Sequence, residues 1–304
     1  MASNANDSDP KSRDWIAYLL LPVAPLCWAG NTVLARGAAE LIPPVSFAFF
    51  RWTAAFLLLL PFTWHLVRRD LRQVASHWKI MVLISILGIS SFNSLLYTAA
   101  HTTTAINLAL IQTAMPAIII LISMRLYHET VRNLQIAGVL LCVSGACLVV
   151  LRGQLQTLLQ LAVAPGDLIM LFAVFLYALY SALLRKRPPI HPLSFLTYSF
   201  GIGIIGLLPV YLWERAVVGT PQFSREVLFS ILYVAVFPSI IAYFCWNRGV
   251  ELIGANRAGP FINLIPVFAS VFAVIWLDET LQFYHLIGLM LIGGGIFLFN
   301  RKPR

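Results

Sequence analysis

Ten apolar stretches, each of roughly 17 to 25 residues, follow one another along the chain, near 16–35, 45–66, 80–98, 104–125, 133–151, 168–185, 193–213, 227–247, 257–276 and 283–300. A helix of that length crosses the hydrocarbon core of a bilayer, about 30 Å thick, while satisfying its own backbone hydrogen bonds. The expected fold is an all-α membrane protein of about ten transmembrane helices. Links such as His101 to Thr104 and Asp278 to Gln282 are so short that consecutive helices must be antiparallel neighbours, and they leave no room for a soluble domain. Composition agrees, with 60% of the 304 residues hydrophobic, 11% charged and a mean hydropathy of +0.83. The net charge of +9 could suggest a nucleic-acid partner. The basic residues, however, sit in short clusters between apolar runs, a pattern that suits lipid headgroups and topology instead.

The first 14 residues are polar and read as a disordered cytoplasmic tail. The run that follows carries Trp28 and Asn31 in its middle, without a short apolar core followed by a small-residue cleavage site, and is expected to stay attached as the first helix. Alternate connections divide the basic residues sixteen to four, the four being Arg36, Arg152, Arg215 and Arg225, with Arg51 left inside the second apolar run. An excess of Lys and Arg marks the cytoplasmic side. Both termini are therefore expected in the cytoplasm, which requires an even number of spans.

A shift of 150 residues lays Ala105, Pro116, Glu129, Thr130, Gly138, Leu141, Gly145 and Leu148 on Ala255, Pro266, Glu279, Thr280, Gly288, Leu291, Gly295 and Leu298. A shift of 148 lays Pro44, Ser46 and Phe47 on Pro192, Ser194 and Phe195. The chain thus reads as two five-helix repeats, 15–152 and 165–301. Five is odd, so the second half crosses the membrane in the opposite sense. Inverted halves provide two conformations of similar energy, each open to one side of a central site; a duplicated packing unit is the alternative.

The ten spans, the "PPVSF" start of the second, the paired "P…ET…G" segments and "LPVAPLCWAGNTVLAR" in the first helix resemble the EamA family of the drug/metabolite transporter superfamily, from about Tyr18 to Asn300. The resemblance implies a carrier for small metabolites, commonly an exporter of amino acids and related compounds across the bacterial inner membrane. It does not fix the substrate.

Polar side chains inside spans usually face a partner helix or water. In the third span Asn93, Tyr97 and His101 follow at four-residue intervals, with Ser90 and Ser94 near the same stripe, and the repeat relates Asn93 and Tyr97 to Tyr243 and Asn247, next to Trp246. A shift of 149 puts Trp28, Asn31 and Thr32 on Tyr177, Tyr180 and Ser181. Thr113, preceded by Gln112, pairs with Asn263, and Pro116 and Pro266 follow at mid-span, where a proline frees a backbone carbonyl. The expected substrate-binding residues are Trp28, Asn31, Thr32, Asn93, Tyr97, Gln112, Tyr177, Tyr180, Ser181, Tyr243, Trp246 and Asn263. Such walls would hold a neutral or zwitterionic, partly apolar metabolite, amino acids being the leading guess.

Arg51, His101, Pro116 and Pro266 are the gating or coupling candidates. Arg51 is expected to snorkel to the outer surface, or else to neutralise Glu40 or a substrate carboxylate. His101 reads as a solvated or capping residue at a helix end, and Glu129, Glu279, Thr130 and Thr280 as loop and cap residues. Gly138, Gly145, Gly288, Gly293, Gly294 and Gly295 are assigned to close packing of the fifth and tenth spans.

None of the 12 acidic residues lies at the centre of a span, so proton coupling through a buried carboxylate is not expected. Cys27, Cys142, Cys147 and Cys245 lie in apolar runs as packing residues, and no metal or cofactor is expected. A membrane enzyme is the competing function, but no catalytic or phosphate-binding motif is present. A passive channel is the third possibility. The oligomeric state is open, a monomer being plausible.

Overall fold

A computed structural model describes residues 14–38, 41–103, 105–151, 153–154, 156, 164–277 and 282–301. Expectations for the tail before Asp14, for Glu40, Arg152, Glu279 and Thr280, and for the side chain of Arg36 lie outside the described residues. Among the described residues ten passes are seen, in antiparallel succession. The first is Asp14–Leu20 and Val23–Ala38, parted at Pro22; the second is Pro44–Ser76, the third Trp78–Thr102, and the fourth Ala105–Gln112 with Met115–Tyr127. The fifth is Asn133–Val150, the sixth Pro165–Lys186, the seventh Pro192–Val218, and the eighth Arg225–Ile253. The ninth is Ala255–Ala258, Gly259–Leu264 and Ile265–Leu277, and the tenth is Phe283–Asn300. Eight of these passes are long and apolar enough to qualify as spans by length and composition. The first and ninth fall outside that count.

The inversion of the halves is visible where the fifth and tenth spans pack. A Cβ on Gly138 would stand 2.7 Å from the carbonyl oxygen of Gly295, and one on Gly295 would stand 2.6 Å from that of Gly138. Gly145 and Gly288 repeat the relation at 2.8 and 3.0 Å. The pairing runs antiparallel, and each glycine meets the repeat counterpart of the other, as a two-fold axis lying in the membrane demands. Small residues here let the backbones touch, the usual device for helix association in lipid. Gly293 and Gly294 do otherwise: each faces open space, so their assignment to this contact is corrected.

Spans 2 and 7 form a second related pair, each holding the N-terminus of the other. The Glu214 carboxylate accepts from the Val45 and Ser46 amides at 2.9 and 2.6 Å and from the Ser46 hydroxyl at 2.7 Å. At the far end Asp70 accepts from the His191 amide at 3.1 Å. A carboxylate at a helix start satisfies orphan N–H groups and the positive end of the helix dipole. The two "P-x-S-F" motifs are these capped starts, and Glu214 and Asp70 are buried although they lie near span ends.

The proline breaks also come as a pair. Span 4 stops at Gln112 and restarts at Met115, and span 9 passes through a 3-10 stretch before restarting at Ile265, so Pro116 and Pro266 each stand second in a new helix. Side chains reclaim carbonyls before the first break: Gln112 donates to Leu108 and Thr113 to Leu110. Span 5 starts differently from the expected threonine cap. Arg132 is its N-cap and the Gln135 side chain accepts from the Arg132 amide at 3.0 Å, while His128 takes a left-handed conformation (φ 53°) at the end of span 4.

Candidate functional site

Spans 3 and 8 each contain one π-helical turn, Ile86–Ser91 and Val236–Ile241, related by the 150-residue shift. Such a turn frees carbonyls from the helical ladder. The Pro238 carbonyl accepts from Arg51 Nη2 at 2.9 Å and from the Trp28 indole at 3.2 Å. Its counterpart, the Gly88 carbonyl, accepts from the Tyr243 hydroxyl at 2.7 Å. Glycine is needed at 88 because a Cβ there would lie 2.4 Å from the Tyr180 ring.

Arg51 corrects the snorkelling expectation, for its side chain is fully buried. Nη1 donates toward Asn31 Oδ1 at 3.1 Å, Asn93 Oδ1 at 2.7 Å and the Tyr97 hydroxyl at 2.6 Å. Nε donates to Ser239 Oγ at 2.6 Å, and the guanidinium lies 4.7 Å from the Trp52 ring centroid. Four spans therefore converge on one cation. Among the described residues no carboxylate pairs with it, and every acceptor around it is neutral. The repeat places Ser199, buried with its hydroxyl unpartnered, where Arg51 stands in the first half.

The first and third spans are joined by Tyr97 donating to Asn31 at 2.8 Å, and the sixth and eighth by Tyr180 donating to Asn247 at 2.6 Å. These bonds occupy equivalent positions with the residue types exchanged. The Trp246 indole donates to Ser181 at 3.3 Å beside the second bond. Trp28 packs against Tyr177, Tyr243 and Trp246 with ring centroids 5.7, 6.1 and 5.5 Å apart.

Between these bonds lies a small cavity of about 20 Å³, room for roughly one water molecule. Trp28, Asn31, Thr32, Asn93 and Gln112 line it from the first half, with Phe92, Leu96 and Met115. Tyr177, Tyr243, Ile262 and Ile265 come from the second. Tyr97 stands behind this wall in the Arg51 network, and Tyr180 and Trp246 are buried in the aromatic layer below. Ser181 and Asn247 face a second, larger cavity of about 860 Å³. Asn263 is buried away from the lining with neither amide atom partnered. His101 is exposed at the end of span 3 and outside both cavities.

The larger cavity is a vestibule among the ends of spans 4, 6 and 8 and the start of span 9, on the face that carries the ion pairs. Arg185 meets Glu129 at 2.7 Å, Arg187 and Arg248 each meet Glu251 at 2.6 Å, and Glu129 also accepts from Asn256. On the same face Arg257 donates to the Tyr18 hydroxyl at 2.8 Å and pairs with Asp14 at 3.4 Å. On the opposite face the equivalent place is taken by Asp167, which accepts from Thr103 and from Asn107 at 2.9 Å. The layer between vestibule and cavity is Tyr180, Asn247, Trp246 and Ser181. Two hydrogen bonds hold it, Tyr180 to Asn247 and Trp246 to Ser181.

The EamA-like transporter family model matches residues 15–151 and again 164–301. An uncharacterized transporter of Bacillus subtilis (strain 168), YyaM, is 29% identical over 269 residues, covering 86% of each chain. An uncharacterized transporter of Archaeoglobus fulgidus is 26% identical, covering 94% of this chain and 97% of its own. A protein of known crystal structure shares the fold, with a TM-score of 0.74 over 93% of this chain and 96% of the other at 18% identity.

Proposed function

The chain belongs to the EamA-like transporter family, and from that premise we propose that it carries small neutral or zwitterionic metabolites across the bacterial inner membrane by alternating access. Amino acids with aromatic or other apolar side chains are the favoured substrates, moved outward or by facilitated diffusion. The observation that carries this reading is the buried Arg51 guanidinium, without a carboxylate partner among the described residues, behind a wall of aromatic and amide groups. A cation in lipid is costly unless paired. A substrate carboxylate reaching it through Asn31 and Asn93 would supply the missing charge, while Trp28, Tyr177 and Tyr243 hold an apolar side chain. The cavity of about 20 Å³ is the contracted form of that site, and the halves must rock apart to admit a solute.

Both termini lie in the cytoplasm, so the vestibule faces the cytoplasm and loads from there, which suits export. Amides, hydroxyls and aromatics do not titrate near neutral pH. Flux therefore follows the substrate gradient, without proton coupling. The protein works with a small-molecule substrate and membrane lipids, and not with nucleic acid. Purified protein in proteoliposomes should give flux of phenylalanine or a related amino acid above empty vesicles, persisting when an ionophore collapses any pH difference. No flux across a screen of amino acids sinks the substrate reading. Uphill accumulation driven by a pH difference and lost in His101→Asn sinks the uncoupled one.

A further inference from the structure

The floor of the vestibule carries two buried donors with nothing to donate to among the described residues. Arg187 closes the short turn after span 6, and its side chain is only 9% exposed. Nη2 is held by Glu251 at 2.6 Å and the guanidinium lies 5.2 Å from the Phe195 ring centroid, but Nη1 is buried without an acceptor. Asn247, 4% exposed, accepts from Tyr180 through Oδ1 while its Nδ2 has no acceptor. Both residues line the same cavity of about 860 Å³. A buried donor left unpaired costs the full desolvation of that group. Two of them at one cavity define a place for an oxygen-rich ligand.

The charge around them sets its class. Arg185, Arg187, Arg248 and Arg257 stand here against Glu129, Glu251 and Asp14, so one positive charge is in excess. One excess charge and two N–H donors match a single planar carboxylate and fall short of a doubly charged phosphate. We propose that the vestibule floor is a carboxylate-binding site, formed by Arg187 Nη1 and Asn247 Nδ2, separate from the Arg51 centre behind the tyrosine layer. Its role as the station where a substrate loads rests on the transport reading above; the binding itself does not. A carboxylate held there lies against the Tyr180–Asn247 bond, the contact that must open for passage inward.

The test uses the full chain in detergent, with benzoate, benzamide and inorganic phosphate as probes and thermal unfolding as the readout. Benzoate should raise the melting temperature at millimolar concentration and benzamide should not. Arg187→Gln should weaken the benzoate effect about tenfold, the worth of one charge-assisted hydrogen bond. Asn247→Asp keeps an acceptor for Tyr180 but puts a negative charge on the floor, so it should abolish the effect, and it decides the matter alone if Arg187→Gln fails to fold. Absence of benzoate stabilisation in the wild type, or its persistence in Asn247→Asp, overturns the site. Stabilisation by phosphate at lower concentration than benzoate overturns the carboxylate class. An effect lost in Arg51→Gln yet intact in Arg187→Gln moves the site to the central cavity and overturns the proposal. Benzoate binding as expected with no amino-acid flux leaves this site standing and removes only the transport substrate.

Discussion

The two halves share a backbone plan and differ in what they place on it. Each has a capped second helix, a π-turn in the third and a proline break in the fourth, and their last helices cross on paired glycines. At the centre the likeness stops. The first half sets a guanidinium against Asn31, Asn93 and Tyr97, whereas the second sets phenols and an indole there and leaves Ser199 at the position related to Arg51. In the proposed transport cycle the symmetric parts are those that must work in both orientations. The asymmetric part is the one that, in that cycle, would meet the solute, and a solute has a head and a tail.

The largest effect should come from removing the charge that makes the halves unlike. Arg51→Met should lower transport at least about 100-fold, near 3 kcal/mol, because a charged hydrogen-bonding group is lost from a buried network. Ser199→Ala should leave transport within about twofold, since its hydroxyl makes no hydrogen bond to lose. Equal losses in the two variants, measured as initial flux in proteoliposomes, would mean that the asymmetry has no functional weight.

A smaller, opposite test concerns what the halves share. Gly138→Leu and its repeat counterpart Gly288→Leu should each cost about 2 kcal/mol of stability by forcing touching backbones apart. The two losses should agree closely, as read from thermal unfolding in detergent. A large inequality would break the two-fold relation.

The finest comparison sets one equivalent hydrogen bond against the other. Tyr97→Phe loses its bonds to both Asn31 and the guanidinium and should reduce flux about tenfold, whereas Tyr180→Phe loses only the bond to Asn247 and should reduce it about threefold. The reverse order would place the rate-limiting contact in the second half.

Spans, repeat and inversion were legible because length, hydropathy and register are local properties. The polar stripes on spans 1, 3, 6 and 8 were legible for the same reason, since helical spacing puts their members on one face. The surroundings of Arg51 were not: a lone arginine one turn or two inside a span looks alike whether it reaches outward or inward, and its partners come from three other spans. Glu214 and Asp70 were read only as end residues, because the amides they cap lie more than a hundred positions away in sequence. Asn263 shares the register of Thr113, and neither lines the cavity; the related pairs Gln112 and Ile262, and Met115 and Ile265, do, so the lining position was one residue from the one chosen. Gly293 and Gly294 belong to a glycine run of which only one member can face the fifth span.

The π-turn of span 8 has a consequence for anyone who would re-engineer this protein. It accommodates one residue more than an α-helix would, so everything after Ile241 is rotated by about 100° from the phase set before Val236. Tyr243, Trp246 and Asn247 meet the centre of the bundle only in that rotated frame. Deleting a single residue between 236 and 241 would mend the helix and swing all three away together, a change no point substitution could match. Residues grafted from a relative into this span will therefore reproduce its site only when the extra residue travels with them.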